Sequence, residues 1–206
     1  MTLAARVPFV LASGSAGRLR VLQGAGIAAE VVVSGVDETT DGHLDTPSVV
    51  GMLAERKAAA VSGRRPDALV LGCDSLLDVG GQAFGKPASA EQAVRMWARL
   101  SGREATLLTG HCLIPPGGAR RVRGVGRTVV RFAAPTDAEV AAYVASCEPL
   151  AVAGAFSIDG LGAPFVESID GDPSNVVGLS LPLLRRMLAE LGLSITDLWR
   201  TRPGAG

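Results

Sequence analysis

Net charge is the first thing this sequence lacks. Its 206 residues set 20 Lys and Arg against 20 Asp and Glu, and the charged fraction of 19% lies below the roughly 25% usual in soluble domains. No field is present that would gather nucleic acid or anionic lipid without specificity, so neither nucleic acid nor membrane is expected as a partner. Cysteine is scarce as well. Cys73, Cys112 and Cys147 are an odd set without a Cys-x-x-Cys pair or a Cys/His cluster, which argues against a disulfide framework and a zinc site and for a reducing compartment. Long apolar runs are also missing. Nothing approaches the ~18–20 residues of a membrane span, and the about six apolar residues after Arg6, interrupted by Pro8, fall short of the ~7–15 of a secretory core. These absences predict a cytoplasmic protein. Gly 26 and Pro 12 together stay below the ~25–30% of a disordered chain, and an apolar fraction of 48% supplies one large core or two lobes.

Lysine is nearly absent. Of the 20 basic residues only Lys57 and Lys86 are lysines. A genome rich in Arg codons accounts for the arginines but not for the two exceptions. Lysine is a compact point charge on a flexible stem, suited to a phosphate oxygen or a developing charge, whereas the Arg fork demands bidentate geometry.

What is there begins as alternating elements. RVPFVLA (6–12) reads as a buried strand, RLRVLQGAG (18–26) as a helix with a Gly stop, and EVVVSGV (30–36) as a second strand. From Pro47 to Val61 an amphipathic helix carries Val50, Leu53, Ala54 and Val61 on one stripe. ALVLGCDSLLDV (68–79) is strand-like, with a turn at Gly80-Gly81, and Ser89 caps a helix through Val94, Trp97 and Leu100 to Gly102. EATLLTGHCLI (104–114) and RTVVRFAA (127–134) form an expected hairpin around PPGGA. Thr136 caps DAEVAAYVAS, a Gly-rich segment follows with a short strand near FVESI, and Asp172-Pro173 opens another helix. Ser180 to Leu191 is the last helix, ended by Gly192, and the final RTRPGAG looks like a frayed tail. The predicted fold class is α/β, an extended mixed β-sheet flanked by helices, with residues 1–200 as one domain of two lobes around a deep cleft and 201–206 as tail.

Chemistry concentrates at a few positions. In LASGSAGR (11–18) a strand empties into a Gly/Ser loop that opens a helix, the usual makings of an anion site, with hydroxyls on Ser13 and Ser15 and the guanidinium of Arg18 in reach. An ordinary helix cap explains the same residues. Asp74 follows a core strand directly, where ligands of open α/β sheets sit, and a desolvated carboxylate there needs a cation or metal; an Asx turn is the plainer alternative. Asp37-Glu38 supplies a second carboxylate source, and two such sources suit Mg²⁺ or Mn²⁺. Lys57 continues the apolar stripe of its helix and so faces inward, where it either snorkels past the core edge or reaches a cavity. Lys86 sits in a Gly-Lys-Pro corner, FGKPAS, that an exposed turn would equally explain. His43, in a polar loop, and His111, in a strand, have no clear catalytic setting; Cys73 reads as small and buried, Trp97 as core. Arg18, Lys57, Lys86, Glu38 and Asp74 together describe apparatus for a polyphosphate.

LASGSAGRLRVL, VDE (36–38), AERKAAAV, LGCDSLL, GKP (85–87), LTGH, AGAFSIDGLG and GDPSNVVGLSLPLL resemble, in order and spacing, the Maf family of nucleoside triphosphate pyrophosphatases, once named septum-formation inhibitors, over about residues 8–192. The resemblance implies a fold similar to that of inosine triphosphate pyrophosphatases and metal-dependent hydrolysis of a nucleoside triphosphate to the monophosphate and pyrophosphate. Carried over by residue, it puts substrate binding on Ser13, Ser15 and Arg18, metal binding on Glu38 and Asp74, and catalysis on Asp74, Lys57 and Lys86, with Asp74 as base. It also implies a different reading, a nucleotide-binding regulator of septum formation with little turnover. Two departures from the family's pattern stand out: Ala16 and Gly17 replace the Pro and bulky or basic residue of the phosphate loop, and Asp159 stands where Gln or Glu marks the better-known subgroups. Asp159 is thus a substrate-binding candidate whose base preference cannot be copied from them. A homodimer is left open.

Overall fold

The computed structural model describes residues 7–40, 44–118 and 120–199. His43 and the whole of the tail, 200–206, lie outside the described residues, as does Arg6 at the start of the first expected strand. Seven strands form one mixed sheet in the order β2-β1-β3-β5-β6-β7, with β4 paired on β3. They are β1 (Phe9–Leu11), β2 (Glu30–Val31), β3 (Leu69–Val79), β4 (Gln82–Phe84), β5 (Glu104–Ile114), β6 (Val122–Phe132) and β7 (Val166–Gly171). Among the described residues only β1 pairs parallel, with β2 and β3; the other pairings are antiparallel. The helices are α1 (Ala16–Gly24), α2 (Thr46–Ser62), α3 (Ala90–Leu100), α4 (Asp137–Ala145), α5 (Pro173–Val177) and α6 (Leu181–Glu190), and the α/β class with a mixed sheet is as expected.

Local chemistry sets the helix starts. Ser15, Asp45, Ser89, Thr136, Asp172 and Ser180 each accept a hydrogen bond from a backbone N–H of the first turn, which relieves donors that have no partner within the helix. Thr136 and Glu139 complete a reciprocal capping box.

Three strand expectations change in extent, the first being the strand read over 6–12, which covers Phe9–Leu11. The strand expected over 30–36 shrinks to Glu30–Val31, both exposed. Its neighbour β1 has only three residues to pair with, and Gly35 turns the chain away with a φ of 67°. The strand expected from 127 instead starts at Val122. Gly124 and Gly126 lie in the added stretch, and each makes room for a partner: a side chain on Gly124 would press on Leu183, and one on Gly126 would overlap the Asn175 amide.

Apolar packing gathers at both ends of the long strands. One cluster joins Leu11, Leu22, Leu71, Leu113 and Leu184 under α1 and α6; another joins Leu77, Trp97, Leu107, Phe132 and Tyr143 under α3 and α4. Trp97 is core, as read from the sequence, and its indole N–H donates to the Ala155 carbonyl at 2.9 Å. A third cluster lies under α2.

Candidate active site

The site starts from two glycines. Gly72 on β3 and Gly110 on β5 face α2, and a Cβ on either would overlap a helix carbonyl, Ala54 O or Val50 O. The missing side chains let α2 lie directly on the sheet. One turn beyond Ala54, Lys57 is thereby delivered to Asp74, which pairs across the ladder with Gly110. The Lys57 ammonium lies 2.6 Å from Asp74 Oδ1 and 2.7 Å from Glu38 Oε1. Lys57 is 7% exposed and Asp74 6% exposed; Glu38 is the open member of the three. The inward reading of Lys57 is correct, and the position it reaches is a carboxylate pair.

Burial raises the Asp74 pKa above the ordinary carboxylate value, against the opposing pull of Lys57 and Arg18. A carboxylate held this way is a better proton acceptor than one in water. Its Oδ2, like Glu38 Oε2, has no hydrogen bond among the described residues. Two carboxylate oxygens converging on one cation are a hard donor set of the kind that suits Mg²⁺ or Mn²⁺ alongside phosphate oxygens. Among the described residues no group of three or more His, Cys, Asp and Glu gathers as a metal cluster, so any ion here would complete its shell with water or substrate.

The opposite face of β3 carries the second group. Arg18, 8% exposed, donates from Nε to Gly178 O at 2.8 Å, from Nη1 to Ser13 Oγ at 2.9 Å and from Nη2 to Ser75 Oγ at 3.0 Å. Ser13 Oγ also accepts from the Ser15 N–H at 3.2 Å, and Ser15 Oγ caps α1 by accepting from the Arg18 N–H at 3.4 Å. The plain helix-cap account therefore holds for Ser15, while Ser13 keeps a hydroxyl proton to donate.

Lys86 and Asp159 do not join either group. Lys86 is exposed and makes no hydrogen bond or ion pair among the described residues; its neighbour Gly85 lies against Leu76, two positions along β3 from Asp74. Gly85 O accepts from Gly154 N at 3.0 Å, which ties the Gly-Lys-Pro corner to the Gly-rich segment. Asp159 pairs with Arg20 of α1 at 2.9 Å on the surface. Cys73 is buried, its thiol pushed up to about 12 by that burial, so it is no nucleophile. His111 is buried between Thr109 O and the Ser180 N–H and is a structural residue.

Sequence reasoning missed Ser75, Thr109 and Asn175, which link Arg18 to α5, and Glu148. The Glu148 carboxylate accepts from Tyr143 OH, Ser157 Oγ and the backbone N–H groups of Leu161 and Gly162, so it shapes the loop that carries Asp159. For Ser75 the signal was present, since strand alternation sets it on the face opposite Asp74. For Glu148 there was none, because its partners lie in an irregular loop.

Set beside known proteins, residues 8–191 match the family model described as Maf-like protein. The chain belongs to the Maf-like family. Two relatives of this family member are proteins named nucleoside triphosphate pyrophosphatase from Streptomyces coelicolor, 55% identical over 97% of this chain and 98% of that one, and from Salinispora tropica, 54% identical over 92% and 86%. A third of the same name, from Thermosynechococcus vestitus, is 50% identical over 93% and 98%. Among solved structures, the Staphylococcus aureus Ham1 protein overlaps 61% of this chain and 72% of its own at 16% identity and a TM-score of 0.37, too low an overlap to carry any argument. Among the described residues of this Maf-like chain no helix is long and apolar enough to cross a membrane.

Proposed function

We propose that this chain is a nucleoside triphosphate pyrophosphatase that hydrolyses its substrate to the monophosphate and pyrophosphate and so clears noncanonical or surplus nucleotides. The names of its close, near full-length relatives support the reaction, and one observation in the fold carries it: a buried carboxylate, Asp74, hydrogen-bonded to the buried ammonium of Lys57 with Glu38 on the same nitrogen.

In this reading Asp74 accepts a proton from the water that attacks the α-phosphorus. The bond from that phosphorus to the bridging oxygen breaks, and the electron pair leaves with pyrophosphate. Lys57 keeps Asp74 and Glu38 in register and adds positive charge beside the phosphates. Arg18 and the Ser13 hydroxyl stabilise charge on the leaving group, and the exposed ammonium of Lys86 adds to them once its side chain reaches the phosphates. Glu38 and Asp74 would hold Mg²⁺ or Mn²⁺, which supplies Lewis-acid stabilisation of phosphoryl oxygens when bound. Asp159, ion-paired with Arg20, is the candidate for contact with the rest of the nucleotide. Three free cysteines fit work in the reducing cytoplasm, where free nucleotides are found. A regulator with little turnover is not favoured, because binding alone has no use for a carboxylate whose burial raises its basicity.

The test is pyrophosphate release across a panel of nucleoside triphosphates, with and without Mg²⁺ or Mn²⁺, read for both base and product. Asp74→Asn keeps the shape of the side chain and removes the base, so release is expected to fall by at least about a hundredfold with the melting temperature held. Full activity in that variant, or orthophosphate as the product, would refute the assignment.

A further inference from the structure

Arg18 is a buried cation with no anion in hydrogen-bonding contact among the described residues; the buried carboxylate of Asp74 feels it only through space. The three hydrogen bonds of Arg18 go to neutral acceptors, Gly178 O, Ser13 Oγ and Ser75 Oγ, and among the described residues it forms no ion pair. Of five guanidinium N–H groups these take three, leaving one on Nη1 and one on Nη2. What orients those two is the set of acceptors behind them.

The proton directions behind Ser75 can be worked out. Thr109 Oγ1 lies 3.1 Å from Asn175 O and 3.0 Å from Ser75 Oγ. A carbonyl only accepts, so the single hydroxyl proton of Thr109 goes to Asn175 O. Ser75 must then donate its own proton to Thr109, its partner across the ladder. That turns the Ser75 lone pairs to Arg18, which can only donate. Asn175 is itself fixed by bonds from Nδ2 to Leu107 O at 3.3 Å and Thr128 Oγ1 at 3.1 Å, and its helix ends at Gly178, whose carbonyl takes Arg18 Nε. The relay and the turn thus grip one guanidinium from two sides, and both are rooted in α5.

We propose that Ser75 is a positioning residue for the pyrophosphate part of the substrate: through a relay of fixed polarity, Arg18 to Ser75 to Thr109 to Asn175, it sets the tilt at which Arg18 offers its two remaining N–H groups to phosphate oxygens. The inference rests on the proposed reaction and adds to it the residue beside the base, which works on the other face of β3. Ser75 touches no substrate atom. Its neighbour Asp74 handles the water while Ser75 aligns the cation for the leaving group.

The experiment compares wild type, Ser75→Ala, Ser75→Thr and Thr109→Val in steady-state hydrolysis and in calorimetric binding of inorganic pyrophosphate. Ser75→Ala is expected to weaken pyrophosphate binding by about tenfold, the usual effect of one lost hydrogen bond to a charged group, and to lower kcat/KM by a similar factor because Arg18 faces the leaving group. Ser75→Thr keeps the hydroxyl and restores both. Thr109→Val preserves volume, removes the acceptor that fixes the Ser75 rotor, and shifts both constants in the same direction by a smaller factor. Pyrophosphate affinity unchanged in Ser75→Ala and Thr109→Val, whatever happens to kcat/KM, would overturn the proposal. A wild type that binds pyrophosphate yet hydrolyses no nucleoside triphosphate would sink the proposed reaction instead, while the binding arm still decides the role of Ser75.

Discussion

Lys57 shows how a single residue type carries information. Its inward position was legible because it falls on the stripe of Val50, Leu53, Ala54 and Val61, all of which are buried, and because a chain with two lysines among 20 basic residues singles it out. Its partner was legible only as a class, a strand-end acid. The pairing gives a prediction. Lys57→Met strands Asp74 in a site where burial already raises its pKa, so the carboxylate takes up a proton nearer neutrality and ceases to act as base. Pyrophosphate release should fall at least about a hundredfold, and urea unfolding should report a loss of up to about 3 kcal/mol from leaving a buried charge unpaired. Lys57→Arg keeps the charge but replaces a point by a planar fork, which cannot be shared in the same way by two converging carboxylate oxygens; its stability should recover more than its rate. Equal recovery of both would mean that charge alone matters here. Lys86 is the contrary case: both of its sequence readings, corner cation and surface turn, remain compatible with an exposed side chain beside Gly85.

Among elements, the decisive one is α2, and its closeness to the sheet is set by residues that have no side chain. Gly72 and Gly110 sit inside two of the motifs, LGCDSLL and LTGH, yet a glycine in a strand signals only that something approaches, not what. The structure supplies the answer in the carbonyls of Ala54 and Val50. Gly72→Ala or Gly110→Ala should therefore push α2 outward, cost about 1–3 kcal/mol as overpacking does, and draw Lys57 away from Asp74. Hydrolysis is expected to drop more than stability alone explains, so that adding stabilising osmolyte restores the fold without restoring the rate. Recovery of both together would show that helix height is irrelevant to catalysis. The same logic explains why the start of β6 was not legible: Gly124 and Gly126 carry no strand signal until Leu183 and Asn175 are seen occupying the space over them. Propensity also overstated β2, because a strand's length depends on its neighbour, and β1 offers only three residues.

On the scale of the whole molecule, the α/β class with its mixed sheet followed from alternation, and the starts of α3, α4 and α5 from their caps, whereas long-range polar links such as Glu148 to its loop could not be read from a pattern. His111 is another such link, and it predicts how the entire fold responds to acid. Its Nε2 accepts from the Ser180 N–H at 2.9 Å, which leaves the proton on Nδ1 to be donated to Thr109 O. Burial lowers its pKa to about 4 from an ordinary 6.5. Protonating Nε2 would set two donors against each other at the start of α6. The unfolded chain therefore binds a proton here that the folded chain refuses, so the stabilisation is complete above the unfolded pKa and drains away as pH falls from there toward the folded value. Between about pH 7.5 and about pH 5 the loss from this one group should be about 2 kcal/mol, a sizeable share of a typical stability. Asp74 works in the opposite direction, because a carboxylate whose pKa is raised takes up its proton earlier in the folded chain than in the unfolded one. Urea unfolding of wild type and His111→Gln at the two pH values separates these contributions. Glutamine cannot titrate, so the variant is expected to begin less stable at neutral pH and to lose about 2 kcal/mol less on acidification. If wild type and variant lose stability in parallel, His111 is not the acid-sensitive joint between β5 and α6.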